Sequence, residues 1–297
     1  MTTPSSGPDE IAWPVKRREQ VHGASDSARW NGFAFRGDDV VIATYSKSGT
    51  TLTQQIVAQL IFDGDPDVFG LSLSPWIEGH PVDNALARRL AVPHRRFLKT
   101  HLPVDALVYA PGAKYIAVGR DPRDVVWSLH NHVTGLRRQA PAAGNGSAQP
   151  AFDAAVRAFY HSFLDGSALF RPYWPHVQSW WDIRRLPNLL TLHYANLIAD
   201  LPGQIRAIAA FLDIPLDPAR LHRMVDHCSM AHMRKVGARD VDLTRTFERG
   251  AETFINQGVN GRWRDGLSAA EIEKCDEIAA RELTPDCAAW LRDGVLR

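Results

Sequence analysis

The amino-acid sequence predicts an α/β protein in which helices cover both faces of a central parallel sheet. Short apolar runs typical of buried strands occur at residues 40–45, 115–119 and 189–194, and each is followed by an apolar pattern with helical spacing. No internal repeat breaks this alternation. Because strands that alternate with helices pair in parallel and are buried on both faces, we expect a single domain built around such a sheet.

The helices follow from the spacing of apolar residues in each segment. Apolar residues recur at helical spacing from 52 to 61, and the polar, Gly- and Pro-containing run 63–66 ends the pattern. After the second strand, Pro122 is suited to the first turn of a helix. Residues 152–164 and 203–212 have the same amphipathic pattern and are predicted to be further helices.

Composition and charge exclude several classes of protein. Apolar residues make up 45% of the 297 residues and charged residues 23%, which is ordinary for a folded globular chain. The net charge of +1 gives no global attraction to nucleic acid or anionic lipid, so any anion site must be local. Residues 1–20 are expected to be a flexible N-terminal tail before a domain at 21–297, and the low-complexity segment 137–151 is expected to be a long loop.

The cysteines and the termini indicate a cytoplasmic protein without a membrane span. The three cysteines are scattered, at Cys228, Cys275 and Cys287. An odd number of scattered thiols argues against a disulfide framework and for a reducing compartment. The N-terminus lacks the apolar core of a signal peptide, and no segment approaches the roughly 18 apolar residues that span a bilayer. No metal is expected, because His222, His227, Cys228 and His232 lack the spacing of a metal motif.

An anion-binding loop is predicted between the first strand and its helix, at residues 44–51, which we call the anion loop. Its sequence is Thr-Tyr-Ser-Lys-Ser-Gly-Thr-Thr. Gly49 permits close backbone approach, the hydroxyls and Lys47 supply donors and charge, and the helix start adds backbone N–H groups. The order differs from a Walker A motif, in which Lys follows the last Gly and a hydroxyl binds magnesium. An ordinary Ser/Thr-capped helix start is the alternative interpretation.

The anion loop resembles the 5′-phosphosulfate loop of the cytosolic-type sulfotransferases, Tyr-Pro-Lys-Ser-Gly-Thr-Thr-Trp. Three further segments resemble family motifs in the family's order: residues 99–103, 115–128 and 254–263. The chain is therefore identified as a bacterial-like member of that family. The resemblance implies a P-loop-like 5′-phosphosulfate loop and the co-substrate 3′-phosphoadenosine 5′-phosphosulfate (PAPS), which leaves as 3′-phosphoadenosine 5′-phosphate (PAP), with no metal.

The resemblance also implies four catalytic residues. His101, in the segment Lys-Thr-His-Leu-Pro, would remove the proton of an acceptor hydroxyl, which imidazole does near neutral pH without a metal. Lys47 and Lys99 would neutralise the charge that grows on the bridging oxygen as the sulfuryl group leaves. Ser128 would restrain Lys47 until the acceptor arrives.

Contacts with the nucleotide are implied in the same way. Arg120, at the end of the second strand, and Ser128, on the next helix, would hold the 3′-phosphate. Tyr194 would contact the nucleotide. The complete set of implied co-substrate-binding residues is Lys47, Ser48, Gly49, Thr50, Thr51, Leu52, Arg120, Ser128, Tyr194, Cys228, Met230, Asn256, Gln257 and Gly258.

The adenine pocket departs from the family pattern. Leu52 replaces the tryptophan that ends the loop motif, and the run from Cys228 to Met230 stands where the family has Thr-Ser-Phe. Both aromatic residues that stack on adenine in the family are therefore replaced. The resemblance leads us to expect a base pocket lined by aliphatic side chains and sulfur.

The 3′-phosphate site departs more sharply. Asn256 and Gln257 occupy the places of the family's Arg and Lys. Neutral donors hold phosphate less strongly than cations, so weaker PAPS binding is expected unless Arg262 or Arg264 substitutes.

Several alternatives stay open at this stage. A nucleotide kinase would use the same loop with magnesium and ATP, and a PAPS- or PAP-binding protein with little turnover would result from the lost cations. The resemblance implies a small-molecule acceptor with a hydroxyl. Whether it is a phenol, an alcohol or a lipid stays open, because its pocket is expected to be built from variable loops that include 72–96 and 137–151. The chain is a monomer or a homodimer, since 264–273 matches only the ends of the family's dimer segment.

Overall fold

The computed structural model describes residues 11–23, 25–79, 84–137, 154–166 and 172–296. The strands are β1 (Val21–His22), β2 (Ser25–Asp26), β3 (Val40–Thr44), β4 (Phe97–Thr100), β5 (Lys114–Gly119) and β6 (Leu189–His193). The helices are α1 (Thr50–Ile61), α2 (Gly70–Leu73), α3 (Asn84–Leu90), α4 (Pro122–Thr134), α5 (Ala154–Leu164), α6 (Tyr173–Asp182), α7 (Tyr194–Ala199), α8 (Leu201–Phe211), α9 (Pro218–His227), α10 (Met230–Gly237), α11 (Val241–Thr246), α12 (Ala251–Phe254), α13 (Ala269–Glu282) and α14 (Pro285–Asp293). The loop predicted at 137–151 lies outside the described residues except for residue 137, as do the first ten residues of the predicted tail.

The central sheet is parallel, with the strand order β4-β3-β5-β6, and this confirms the predicted fold class. Val40 lies opposite Phe97 of β4 and Lys114 of β5, while Tyr115 lies opposite Leu189 of β6. The three strands predicted from apolar runs are present with nearly the predicted bounds. Strand β4 was not predicted, because its sequence Phe-Leu-Lys-Thr contains only two consecutive apolar residues.

Both faces of the sheet are buried, because successive side chains of β3 pack in apolar clusters on opposite faces. Val40 and Ile42 belong to an apolar cluster with α1, α8, α9 and α10. Val41 and Ala43 point to the opposite face and belong to a cluster with β4, β5 and Trp180 of α6. A further cluster joins α4, α5, α6, α13 and α14. Period-two side-chain alternation within a strand buried on both sides explains why β3 and most of β5 are apolar runs in the sequence.

Local capping sets where the helices near the sheet edge begin. Helix α8 begins at Leu201, two residues before the predicted start, because the Asp200 side chain accepts a hydrogen bond from the N–H of Gly203 (3.0 Å). Helix α4 begins at Pro122, with Asp121 capping the N–H of Arg123 (2.9 Å). These caps fix the exact point at which each chain segment leaves the sheet.

Two segments differ from a simple tail and loop. Residues 11–20 contain no helix or strand, but the N–H groups of Arg17 and Arg18 donate to the carbonyl oxygen of Asp105 at 2.8 and 3.2 Å. The segment 72–96, expected to be loop, includes α3 and a 3₁₀ turn at Ile77–Gly79. Within the described part of the chain, no helix is long and apolar enough to cross a membrane.

The carboxyl ends of the four central strands meet at one edge of the sheet. Strand β3 ends at the anion loop, β4 ends before His101, β5 ends before Arg120, and β6 ends before Tyr194. In open parallel sheets, this edge is where ligands bind. The fold therefore brings together residues that are far apart in the sequence.

Candidate active site

A cavity of about 430 Å³ lies at this edge of the sheet. Its volume is typical of a small-molecule site. The charged side chains that line it are Lys47, Lys99, Arg120, Arg262 and Asp124. The cavity is therefore a local cationic site in a chain with almost no net charge, as the composition required.

The anion loop forms a tight turn at the N-terminus of α1. Lys47 has a φ of 67° and Gly49 a φ of 108°, both in the left-handed region. A non-Gly residue at positive φ is strained, and such strain is concentrated at functional sites. The hydroxyls of Thr44 and Thr50 share a hydrogen bond of 2.6 Å across the turn, and a Cβ on Gly49 would lie 2.6 Å from Cδ2 of Tyr194. The loop therefore depends on a glycine at this position.

Both predicted lysines have a pKa well below the usual value for lysine. Burial, helped by the nearby Arg120 and Lys99, lowers the pKa of Lys47 to about 8. Burial also lowers the pKa of Lys99 to about 8, partly opposed by Glu78. Each ammonium lies near an aromatic ring. The Nζ of Lys47 is 4.8 Å from the ring centroid of Phe254, and the Nζ of Lys99 is 5.1 Å from that of Trp76. An anion in the cavity would favour the charged form of both lysines.

The imidazole of His101 is oriented by the anion loop itself. Its Nδ1 lies 2.8 Å from the carbonyl oxygen of Thr44. A carbonyl oxygen can only accept, so Nδ1 carries the hydrogen and Nε2 of the neutral ring carries the lone pair. The ring packs edge-to-face on Trp76, with centroids 5.4 Å apart, and it lines the cavity. This tautomer is the one that can remove a proton through Nε2.

The backbone of His101 is held by a buried carboxylate, Glu78, which the sequence analysis did not identify. Glu78 is fully buried and accepts three hydrogen bonds: from the N–H of His101 (2.6 Å), the hydroxyl of Thr100 (3.0 Å) and the indole N–H of Trp30 (2.9 Å). No sequence motif marked this residue, because its partners come from distant segments. Glu78 therefore positions the end of β4 and with it the imidazole.

Arg120 joins the anion loop to the segment 256–261. Its guanidinium donates to the carbonyl oxygen of Lys47 (2.9 Å), the side chain of Asn260 (3.0 Å) and the carbonyl oxygen of Val259 (3.3 Å). It also stacks on the ring of Tyr194 at 4.2 Å. Arg120 therefore already has a partner for each of its three nitrogens and acts as a structural clamp within the cavity wall.

Most of the predicted co-substrate-binding residues line the cavity, and two do not. Those that line it are Lys47, Gly49, Thr50, Thr51, Leu52, Arg120, Ser128, Tyr194, Met230, Asn256, Gln257 and Gly258. Ser48 is only 1% exposed beneath the loop. Cys228, expected in the base pocket, lies instead in the apolar core, where burial raises the pKa of its thiol. The sulfur in the cavity wall comes from Met230 and from Met233, which was not predicted.

His132 also lines the cavity and was missed, although it lies one helical turn after Ser128 on α4. Burial, with the nearby Lys47 and Lys99, lowers the pKa of His132 to about 3, so it is neutral at physiological pH. Among the described residues, its buried Nδ1 has no hydrogen-bond partner. A lone histidine inside a helix carries no sequence signal that distinguishes it from a core residue.

The tryptophan-rich helix α6 is buried. Trp174, Trp180 and Trp181 are all at most 6% exposed. The Tyr173 hydroxyl in the same helix donates to the carbonyl oxygen of Arg120, so α6 helps to fix the backbone of this cavity-lining residue. In the described part of the chain, no cluster of three or more His, Cys, Asp or Glu side chains is arranged to hold a metal.

Comparison with known proteins places the chain in one family. The family model for the sulfotransferase domain matches residues 37–286. The chain is 30% identical to a glycolipid sulfotransferase of Mycobacterium bovis, over 91% of this chain and 92% of the relative. It is 29% identical to sulfotransferase 2B1 of Homo sapiens, over 84% of this chain and 67% of the relative. The chain therefore belongs to the sulfotransferase family of enzymes.

A solved structure shares the fold. The crystal structure of retinol dehydratase in complex with retinol and PAP superposes with a TM-score of 0.68 at 25% identity, over 87% of this chain and 85% of that chain. The doubly covered parallel sheet is common to both proteins.

Proposed function

We propose that this enzyme transfers the sulfuryl group of PAPS to a hydroxyl of a small-molecule acceptor, with His101 as the general base. One observation carries the proposal: the Nδ1–H of His101 bonds to the carbonyl oxygen of Thr44 in the anion loop. This bond fixes the basic Nε2 beside the loop that is suited to the phosphosulfate. The proposed base is thus hydrogen-bonded directly to the loop that would bind the anion.

The chemistry follows from this arrangement. As Nε2 of His101 takes the acceptor's proton, the acceptor oxygen forms a bond to sulfur and the bond from sulfur to the bridging phosphate oxygen breaks, releasing PAP. Lys47, Lys99 and the N–H groups at the start of α1 would neutralise the charge on the departing oxygen. Their positions in the cavity wall support this role. Positioning and preorganised charge supply the barrier reduction that a magnesium ion supplies in many phosphoryl transfers.

The relatives support the choice of donor and of acceptor class. Retinol dehydratase was crystallised with PAP, the desulfated form of the proposed donor. The M. bovis relative is a glycolipid sulfotransferase. Trp76 and Phe254 line the cavity of this chain, which suits an acceptor with an apolar or aromatic body. We therefore propose a phenol, an alcohol or a lipid hydroxyl as acceptor.

The test is acceptor-dependent release of PAP from PAPS in the presence of a chelator. A panel of phenols, aliphatic alcohols and glycolipids would be compared, with product mass measured for each active acceptor. The proposal predicts sulfated product without added metal. A kinase would instead require magnesium and ATP, and a binding protein would bind PAP without forming product with any acceptor in the panel.

We further propose that the enzyme works in a reducing compartment such as the cytoplasm. Cys228, Cys275 and Cys287 are all unpaired and buried, which suits a chain that never needs disulfides.

A further inference from the structure

The cations of the cavity fall into two groups. Burial is the main cause that lowers the pKa of Lys47, and the charges of Arg120 and Lys99 lower it further. For Arg262, burial alone lowers the pKa, without a contribution from the other cations. All four side chains line the same cavity. The cavity wall therefore carries Arg262 in addition to Lys47, Lys99 and Arg120.

Arg262 is held in place by its backbone and by an aromatic ring. Gly261, with a φ of 82°, donates its N–H to the carboxylate of Asp124 on α4 at 2.7 Å. The 3₁₀ turn that begins at Arg262 follows directly. The guanidinium lies 4.7 Å from the ring centroid of Trp127, the residue next to Ser128. Stacking of this kind orients the plane of an arginine while it leaves the donors at its edge available.

The donors of Arg262 are unused in the part of the chain that the structure describes, where no hydrogen bond or ion pair engages the guanidinium. Arg120 differs, because its nitrogens are bonded to Lys47, Val259 and Asn260. A partly buried, oriented and unpartnered guanidinium is suited to bidentate recognition of a phosphate.

We propose that Arg262 binds the 3′-phosphate of the nucleotide and replaces the cations that are absent at Asn256 and Gln257. This inference rests on the proposed function, because PAPS carries a 3′-phosphate as well as the 5′-phosphosulfate, and each anionic group calls for a donor in the cavity wall. Asn256 and Gln257 line the cavity but are neutral. Ser128, which follows Trp127 in the sequence, lines the same cavity and adds a hydroxyl donor.

The neighbouring Arg264 provides a matched control. It lies two residues along the same turn, is exposed, and stacks on Trp263 at 4.8 Å, but it does not line the cavity. Removing its charge changes the local net charge by the same amount as removing that of Arg262. A general electrostatic effect would therefore appear in both variants, and a direct contact in only one.

The experiment is calorimetric titration of the wild type, Arg262→Met and Arg264→Met with PAP and with adenosine 5′-phosphate, in chelator. We expect Arg262→Met to weaken PAP binding by about tenfold or more, the value of one charge-assisted hydrogen bond, and to leave adenosine 5′-phosphate binding within about twofold. Arg264→Met should change neither. Equal PAP affinity in the two variants, or an equal loss for both nucleotides in Arg262→Met, would overturn the inference.

A rescue separates loss of contact from damage to the fold. In the Arg262→Met background, Asn256→Arg with Gln257→Lys should restore PAP affinity, because the new cations line the same cavity. Failure of this rescue in a variant that retains adenosine 5′-phosphate binding would count against a shared phosphate site. A wild type that binds no PAP would contradict the proposed function itself, whereas PAP binding that is insensitive to Arg262 would contradict this inference alone.

Discussion

Glu78 gives the sharpest test of how the fold positions the base. Its carboxylate is fully buried and accepts hydrogen bonds from His101, Thr100 and Trp30 at 2.6, 3.0 and 2.9 Å. A buried donor left without an acceptor costs about 1–3 kcal/mol, so Glu78→Ala, which leaves three donors without an acceptor, should lower the free energy of unfolding by about 3–9 kcal/mol. Glu78→Gln keeps one oxygen for two of these donors and should cost about 1–3 kcal/mol.

The same substitutions should separate catalysis from nucleotide binding. Glu78 does not line the cavity, so the Kd of PAP should change by less than about threefold in either variant. Release of His101 in Glu78→Ala should lower kcat by about 10- to 100-fold, since a misplacement of about 1 Å can cost about 100-fold. Urea unfolding, calorimetry with PAP and initial rates at saturating PAPS measure the three quantities. Wild-type stability in Glu78→Ala, or PAP binding that weakens as much as kcat falls, would refute the reasoning.

Three further predictions concern the anion loop. Gly49→Ala should weaken PAP binding by about tenfold or more in a calorimetric titration, because the new Cβ would lie 2.6 Å from the ring of Tyr194. The control is Gly64→Ala, which is also at positive φ but has its nearest neighbour at 3.8 Å, and it should leave the Kd of PAP unchanged. Lys47→Ala should lower kcat more than it raises the KM for PAPS in steady-state kinetics, and an effect on KM alone would show that Lys47 only binds. Because the pKa values of Lys47 and Lys99 are about 8 without ligand and phosphate favours their charged forms, the affinity for PAP should fall above pH 8, by up to about tenfold per pH unit per lysine. Affinity that stays constant to pH 9.5 would contradict this linkage.

The sequence predicted the parts of the fold that depend on local pattern. Buried parallel strands are continuous apolar runs, so β3, β5 and β6 were predicted, whereas the mixed run of β4 was not. Two of the helix starts depended on caps, such as that of Asp200, which set boundaries more finely than apolar spacing does.

The site was predictable where a residue belongs to a motif that follows a strand. Lys47, His101, Arg120 and Tyr194 are such residues, because strand ends meet at one edge of a parallel sheet. Glu78 could not be predicted, since its role arises from three donors that only the tertiary fold brings together. The direction of individual side chains could not be predicted either. Cys228 packs in the apolar core, whereas Met230, two residues later, lines the cavity.

The central claim is that His101 removes the acceptor's proton while taking no part in holding the nucleotide. The most direct measurement compares wild type with His101→Ala for the rate of sulfated product formation at saturating PAPS and acceptor, with the Kd of PAP determined on the same samples. The account predicts a loss in kcat of about 10²–10⁴-fold, the usual contribution of a general base, with a PAP Kd within about twofold of wild type. A His101→Ala enzyme that keeps more than about a tenth of the wild-type kcat would contradict the account.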